Sequence, residues 1–426
     1  MDMVEIESLP LVEELGFTGG RDAIRPFAER VFAAPLPRFL RDRDGGLVVF
    51  RNGDLQAIGA MPQIGGVPPG VLFGNAFTRM NDPAPPLGAE IARVVSNQVF
   101  TANAPLHRPL RKAMVARLGP RQVAEMEPMA RAAARHLLDD LAVPGDIEVM
   151  TQVAERLTCG FWGRVLAMHT DEIDAMESYT RDLTRLFYLD RSVEDYVALD
   201  AAMRGYLDTI RAAAKRCLDR GDNPFVTALA EDLAEINLSD DPDMAGVVPR
   251  DVGAMIAGNL IQGYHTAAVA AANTLYTLLR HPEALQNIVE HRQLVPNAIF
   301  EALRMEPPVL QLPRWAIEDT VVEGVRVPQG TIVTMMWGIG GFDPDTFPDP
   351  FRFDLARSRR GSTTFGGGLH ICPGRYVAVM LVEVLLDEWL TRGLSIASAE
   401  EAPRWHPAHV MGQMERFPLR VGPCPA

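Results

Sequence analysis

A mainly α fold with small β-sheets is the architecture that this 426-residue sequence predicts. Three observations lead there. Apolar residues recur at helical spacing, with charged faces between them, through Arg121 to Leu141, Asp171 to Phe187 and Asp195 to Arg220. From Val252 to Leu279 there is no Asp, Glu, Lys or Arg, the mark of a helix buried on most of its sides. Strand-like runs are few and short.

In chain order, Met1 to Leu15 holds five acidic residues and no basic n-region ahead of an apolar core, so it reads as neither a secretory signal nor a membrane anchor. Leu47 to Phe50 is the first strand candidate. Pro62 to Pro86, rich in proline and glycine, and Asn237 to Pro249, acidic and polar, read as loops. The uncharged stretch from Val252 is long enough to cross a bilayer, but Gly253, Gly258, Asn259, Gln262, Gly263, His265 and Asn273 interrupt it. It therefore reads as a helix through the middle of a large protein, closed by Arg280-His281-Pro282. Val321-Val322 and Val325-Arg326-Val327 flank Glu323-Gly324 as a hairpin would, and Thr331 to Thr334 is a further strand candidate. Tyr376 to Leu390 reads as a helix stopped by Gly393, with Pro373 suited to its first position.

Composition narrows the function. An apolar content of 47% supports a sizeable core, and the length suits either two average domains or one large fold. With 41 basic against 55 acidic residues the formal charge is −14, which argues against nucleic acid as a partner because phosphate binding needs basic surface. Small-molecule chemistry is the better expectation. Cys159, Cys217, Cys372 and Cys424 are widely spaced and form no CxxC pair, so they suggest no disulfide framework or zinc site, and a reducing, cytoplasmic location fits.

Cys372 is the exception among the cysteines. A glycine-rich approach, Phe365-Gly366-Gly367-Gly368-Leu369-His370-Ile371, delivers it to the start of the apolar C-terminal helix. Unpaired N–H groups and the macrodipole at a helix N-terminus favour a thiolate, the form that binds iron. The glycines let backbone pass close to something flat and bulky. A cysteine taken alone is more often a small buried hydrophobe.

The whole run, Phe365 to Gly374, resembles the haem-binding signature of cytochromes P450, Phe-Gly-x-Gly-x-His-x-Cys-x-Gly, and meets each fixed position. The resemblance implies the cytochrome P450 fold, with haem b between the long central helix and the cysteine-loop helix. It makes Cys372 the iron ligand, places Phe365 and Gly366 beside it, and puts His370 near a haem propionate. Thiolate ligation favours O–O cleavage after oxygen binds.

Other motifs extend the resemblance from about residue 40 to the end, within one domain spanning 1–426. Glu301-Ala302-Leu303-Arg304 matches the family's Glu-x-x-Arg, with Arg352 as the expected second arginine of a structural network. His107 and Arg111 match His-x-x-x-Arg, a spacing that puts both on one helix face. With Arg314 they are the expected propionate partners, since burying unpaired carboxylates is costly.

The central helix departs from the family pattern. Gln262-Gly263-Tyr264-His265-Thr266 keeps the alcohol, Thr266, but has His265 where an acid is usual, in a region that the family opens locally. His265 can stand in as a proton shuttle, its ordinary pKa being near neutrality, or simply satisfy a neighbouring group. By resemblance the substrate pocket is lined by Ile261, Gln262, Val309, Leu310, Val410 and Met411, with Gln311 and Gln413 as polar anchors. Such a lining suits a hydrophobic organic substrate.

The expectation is a haem-thiolate monooxygenase that uses O₂ and takes electrons from a separate ferredoxin or flavodoxin with its reductase, because no reductase domain is attached. Arg108, Lys112, Arg359, Arg360 and Arg375 are the candidate docking surface. A peroxide-dependent or non-oxygenating haem-thiolate enzyme and an idle haem-binding scaffold are the alternatives.

Overall fold

The computed structural model describes residues 3–33, 37–72, 88–239, 242–244, 250–407 and 409–423. Most of the loop beyond Pro62, much of the one after Asn237, and Cys424 lie outside the described residues.

The helices that build the site are α1 (Arg21–Ala33), α2 (His107–Arg117), α3 (Pro120–Asp139), α4 (Glu155–Val165), α5 (Thr170–Leu183), α6 (Val193–Arg220), α7 (Val252–Arg280), α8 (Val295–Met305) and α9 (Arg375–Thr391). The strands are β1 (Leu40–Arg41), β2 (Leu47–Val49), β3 (Ile64–Gly65), β4 (Gly145–Glu148), β5 (Leu312–Ala316), β6 (Ile332–Met335), β7 (Ala397–Ser398) and β8 (Pro418–Val421). Mixed pairing gives a five-stranded sheet in the order β1-β2-β6-β5-β3, and antiparallel pairing a three-stranded one in the order β7-β8-β4. The expected hairpin forms as well: Thr320–Val322 pairs with Val325–Val327 across Glu323 and Gly324, both at positive φ.

Local chemistry sets several boundaries. Ser192 opens α6 through a reciprocal capping box with Asp195. Asp251 opens α7 by accepting from the Ala254 N–H at 2.7 Å. The segment from Asp171 to Phe187 divides, since α5 ends at Leu183 and a 3₁₀ turn, Thr184–Phe187, follows. Pro373 does not begin the last helix; Gly374 is the N-cap of α9, so the proline belongs to the cysteine loop.

Helix α7 runs through the middle of the helical layer, packed by α4, α6, α8 and α9. Two of its interruptions are absorbed by packing and hydrogen bonds. Gly258 lies where a Cβ would meet the Val94 carbonyl at 2.6 Å, and Asn259 both accepts from the Val99 N–H at 3.0 Å and donates to Asn97 O at 3.0 Å. Among the described residues no helix is long and apolar enough to cross a membrane. Two smaller apolar clusters lie outside the helical core, one beneath the five-stranded sheet and one around α1.

Candidate haem site

The cysteine loop is shaped by glycines and closed by its own backbone. Gly368 sits at φ +63 with Gly59 O only 1.9 Å from where a Cβ would be, so no other residue fits. Gly366 is also left-handed, at φ +70. The Cys372 N–H donates to Phe365 O at 2.9 Å, and Arg375 Nη1 donates to Cys372 O at 3.0 Å. Removal from water pushes the Cys372 thiol up; the N–H groups of Gly374 and Arg375 and the charges of Arg375 and Arg111 oppose that shift. The sulfur thus faces N–H donors and positive charge, an environment built for a thiolate.

Beside it, four basic side chains converge from three segments. His107 and Arg111 come from α2, Arg314 from β5 and His370 from the loop. The His107 and His370 rings lie 4.1 Å apart, and Arg111 Nη2 donates to Ile371 O at 2.6 Å. Burial, then Arg111 and Arg314, lowers His107 to about 4. Burial, aided by Arg111, brings Arg314 down to about 10. Neither His107 Nε2 nor Arg314 Nη1 has a hydrogen-bond partner. No carboxylate figures among the influences on any of these groups. A buried and a half-buried guanidinium beside neutral imidazoles with an orphaned donor need anions, and the two propionates of a haem match that need. The residues present fit the group.

On α7 the expected local opening is not found. The helix is continuous from Val252 to Arg280, and the Thr266 hydroxyl caps the carbonyl of Gln262, four residues back, at 2.5 Å. The hydroxyl is thereby held on the helix's own backbone at the point where the family opens it. His265, the next residue, is buried, with its ring edge-on to Phe187 at 5.1 Å, its Nε2 without a partner among the described residues, and burial lowering it to about 4.

Four of the six pocket candidates meet one another, and the six differ in burial. Val309 bridges Met411, the Leu310 N–H donates to Val410 O at 2.9 Å, and Gln262, Val309 and Val410 keep partly open faces. Ile261, Leu310 and Met411 are fully buried, Leu310 within the apolar cluster around α1. Gln413, whose buried Oε1 has no partner among the described residues, lines a small cavity beside His265. Phe187 and the buried His409, whose rings lie 6.1 Å apart, belong to the same region and escaped the sequence reading. The only signal for them was the density of histidines at His406 and His409.

Arg352 is not the second arginine of the Glu301 network. Its side chain is 68% exposed and bonds Asp354, whereas Arg357 Nε donates to Glu301 Oε1 at 2.8 Å. The chain bends back after Phe353, so Arg352 contributes only its carbonyl, as acceptor from Arg304 and Arg357.

The model of the cytochrome P450 family matches residues 81–392. The chain belongs to the cytochrome P450 family, and it is a monooxygenase of the bacterial type. Among its relatives are the 6-deoxyerythronolide B hydroxylase of Saccharopolyspora erythraea, 27% identical over 78% of this chain and 80% of that one. The vitamin D(3) 25-hydroxylase of Pseudonocardia autotrophica is 25% identical over 79% and 80%. Of solved structures, CalO2 superposes with a TM-score of 0.79 at 20% identity over 93% and 96% of the two chains. The enzyme CxnD, described as forming a C–S bond in chuangxinmycin biosynthesis, gives 0.78 at 22% identity over 98% of each.

Proposed function

We propose that the protein binds haem b through the Cys372 thiolate and inserts one oxygen atom of O₂ into a hydrophobic organic substrate. The observation that carries this reading is the cluster of basic side chains His107, Arg111, Arg314 and His370, without a carboxylate among the described residues, beside a sulfur facing N–H donors. Haem, when bound, supplies the electron transfer and oxygen activation that no side chain provides. The protein's part is to hold and to exclude. Arg111 and Arg314 anchor one edge of the cofactor, Val309 and Val410 keep water from the substrate face, and Thr266, on leaving Gln262 O, passes a proton from its hydroxyl. The names of the hydroxylase relatives support a role in tailoring secondary metabolites.

Electrons come from a separate ferredoxin or flavodoxin with its reductase. Arg108, Lys112, Arg359 and Arg360 are exposed on segments flanking the cysteine loop, the kind of basic face that an acidic donor requires. His265 in place of an acid supports a second reading, turnover driven by peroxide, and the two separate on whether reduced ferredoxin or peroxide sustains product formation.

The test is spectroscopic. The reduced protein with carbon monoxide should show the long-wavelength band of thiolate-ligated haem, and Cys372→His should abolish it while Cys159→Ala and Cys217→Ala retain it. A band that survives Cys372→His refutes the ligand assignment.

A further inference from the structure

Between α4, α5, α7 and the C-terminal segment lies a small cavity lined by Glu155, Thr158, Thr180, Tyr264, His265 and Gln413. It offers about 10 Å³ to a water centre, the size that accommodates about one ordered molecule. His265, Tyr264 and Gln413 each line it and each carries a buried atom, Nε2, Oη and Oε1, without a hydrogen-bond partner among the described residues. Buried polar atoms in native proteins are satisfied by protein or by ordered water. Three such atoms and a carboxyl around one water-sized space define a site for a bridging water.

We propose that Glu155 supplies, through a water in this cavity, the protons that His265 passes toward Thr266, so that the acid missing from α7 is provided by α4. The proposal rests on the monooxygenase reading and names its proton source.

The carboxyl has the required surroundings. Burial raises Glu155 to about 7; Arg181 opposes this and Glu148 and Glu177 assist it. The titratable groups that face it are therefore Glu148 from β4, Glu177 and Arg181 from α5, and Cys159 from α4 itself, with Tyr264 and His265 across the cavity. Among the described residues its carboxylate has no ion-pair partner. Arg181 is exposed, so the far side of the cluster opens to solvent. A Met150–Ala154 π turn leads directly into Glu155, a distortion often found at functional sites.

The transfer balances without any other reactant. Protonated Glu155 gives its proton to the water, and the water gives one to His265 Nε2. The imidazole then releases the proton on Nδ1 through water to the Thr266 hydroxyl oxygen, in exchange for the hydroxyl's own proton, and the Glu155 carboxylate recovers one from solvent past Glu177 and Arg181.

Two measurements test it. The first is infrared titration of the haem protein without turnover. A protonated-carboxyl band should vanish near pH 7, be absent in Glu155→Gln, and shift in both Tyr264→Phe and His265→Ala, because the shared water links the three. The second is peroxide released per NADPH, without added substrate, using a surrogate ferredoxin and its reductase. In the wild type the peroxide fraction should rise as pH passes about 7 and Glu155 loses its proton; Glu155→Gln should show a high, flat fraction, severalfold above wild type at pH 6, and Glu155→Asp should recover part of the dependence. A Glu155→Gln profile that overlays the wild type overturns the relay. Should the wild type lack the thiolate-haem band, the monooxygenase reading fails, and the infrared coupling among Glu155, Tyr264 and His265 still decides the cavity: a carboxyl band indifferent to both neighbours overturns the proposal.

Discussion

Arg357 Nε lies 2.8 Å from Glu301 Oε1, and Arg304 closes the same carboxylate from its other side with bonds of 2.7 and 2.8 Å. Glu301 is fully buried, and the two guanidiniums also bind the carbonyls of Gly341, Pro348, Asp349, Pro350 and Arg352. The network therefore folds the loop preceding the cysteine onto α8. Removing Arg357 leaves Glu301 paired with Arg304 but takes away a buried charge-assisted hydrogen bond, which costs roughly 1.5–3 kcal/mol. Arg357→Met should accordingly lower the unfolding free energy by about that amount, while Arg352→Met, at an exposed site, should stay within about 0.5 kcal/mol. Denaturant titration of both variants checks the reassignment; equal losses would contradict it.

Arg314 makes a prediction with opposite signs in two states. Without haem it is a buried cation with an orphaned Nη1, lowered to about 10 by burial and Arg111. Arg314→Leu should therefore stabilise the haem-free protein, by about 1–3 kcal/mol, yet speed haem transfer to an acceptor protein because a propionate loses its partner. Melting of the haem-free form and the rate of haem loss give the two numbers. A variant that weakens both states would show that Arg314 serves the sheet and not the cofactor.

Thr266 and His265 should separate binding from proton delivery. General acid-base assistance contributes about 10²–10⁴-fold. Thr266→Ala and His265→Ala should keep substrate-induced spectral shifts and divert electrons to peroxide. His265→Asp should restore part of the coupling. Unchanged product yield per electron in His265→Ala would make the histidine structural.

Glu155 also links stability to pH. Its carboxyl is raised from an ordinary 4.5 to about 7 by burial, so the folded state holds a proton that the unfolded chain releases first. Its contribution is favourable below about pH 4.5 and is lost as pH rises through 7. Glu155→Gln removes that loss: its advantage over the wild type should be under about 1 kcal/mol at pH 5 and reach about 3 kcal/mol at pH 8. Chemical unfolding at the two pH values, haem-loaded, is the comparison.

Much of this site was legible because its motifs are local. The cysteine run, the His107 and Arg111 spacing and Glu301 to Arg304 each lie within one element, where periodicity alone sets what faces what. What the sequence concealed depends on chain reversal. Arg352 and Arg357 are equally plausible partners for Glu301 until the bend after Phe353 is seen. The small cavity joins α4, α5, α7 and a C-terminal strand connection, so Glu155 sits 110 residues from His265 with no pattern to connect them. Pro373 misled because proline at a first helical turn is a statistical preference, whereas the cysteine loop keeps it outside α9.

The π turn at Met150–Ala154 gives chain length itself a chemical meaning. Each residue of an α-helix advances the facing direction by about 100°, and a π turn holds one residue beyond the α count. Strand β4, clamped by Phe417 and Leu419 on one side of the turn, and helix α4 on the other are held in phase by that surplus residue. Shortening the turn by one would rotate Glu155, Thr158 and Cys159 together away from the cavity, while Tyr264, His265 and Gln413 stayed in place. A single-residue deletion or insertion between β4 and α4 would thus add or remove this internal carboxyl without changing any residue on α7 or in the cysteine loop.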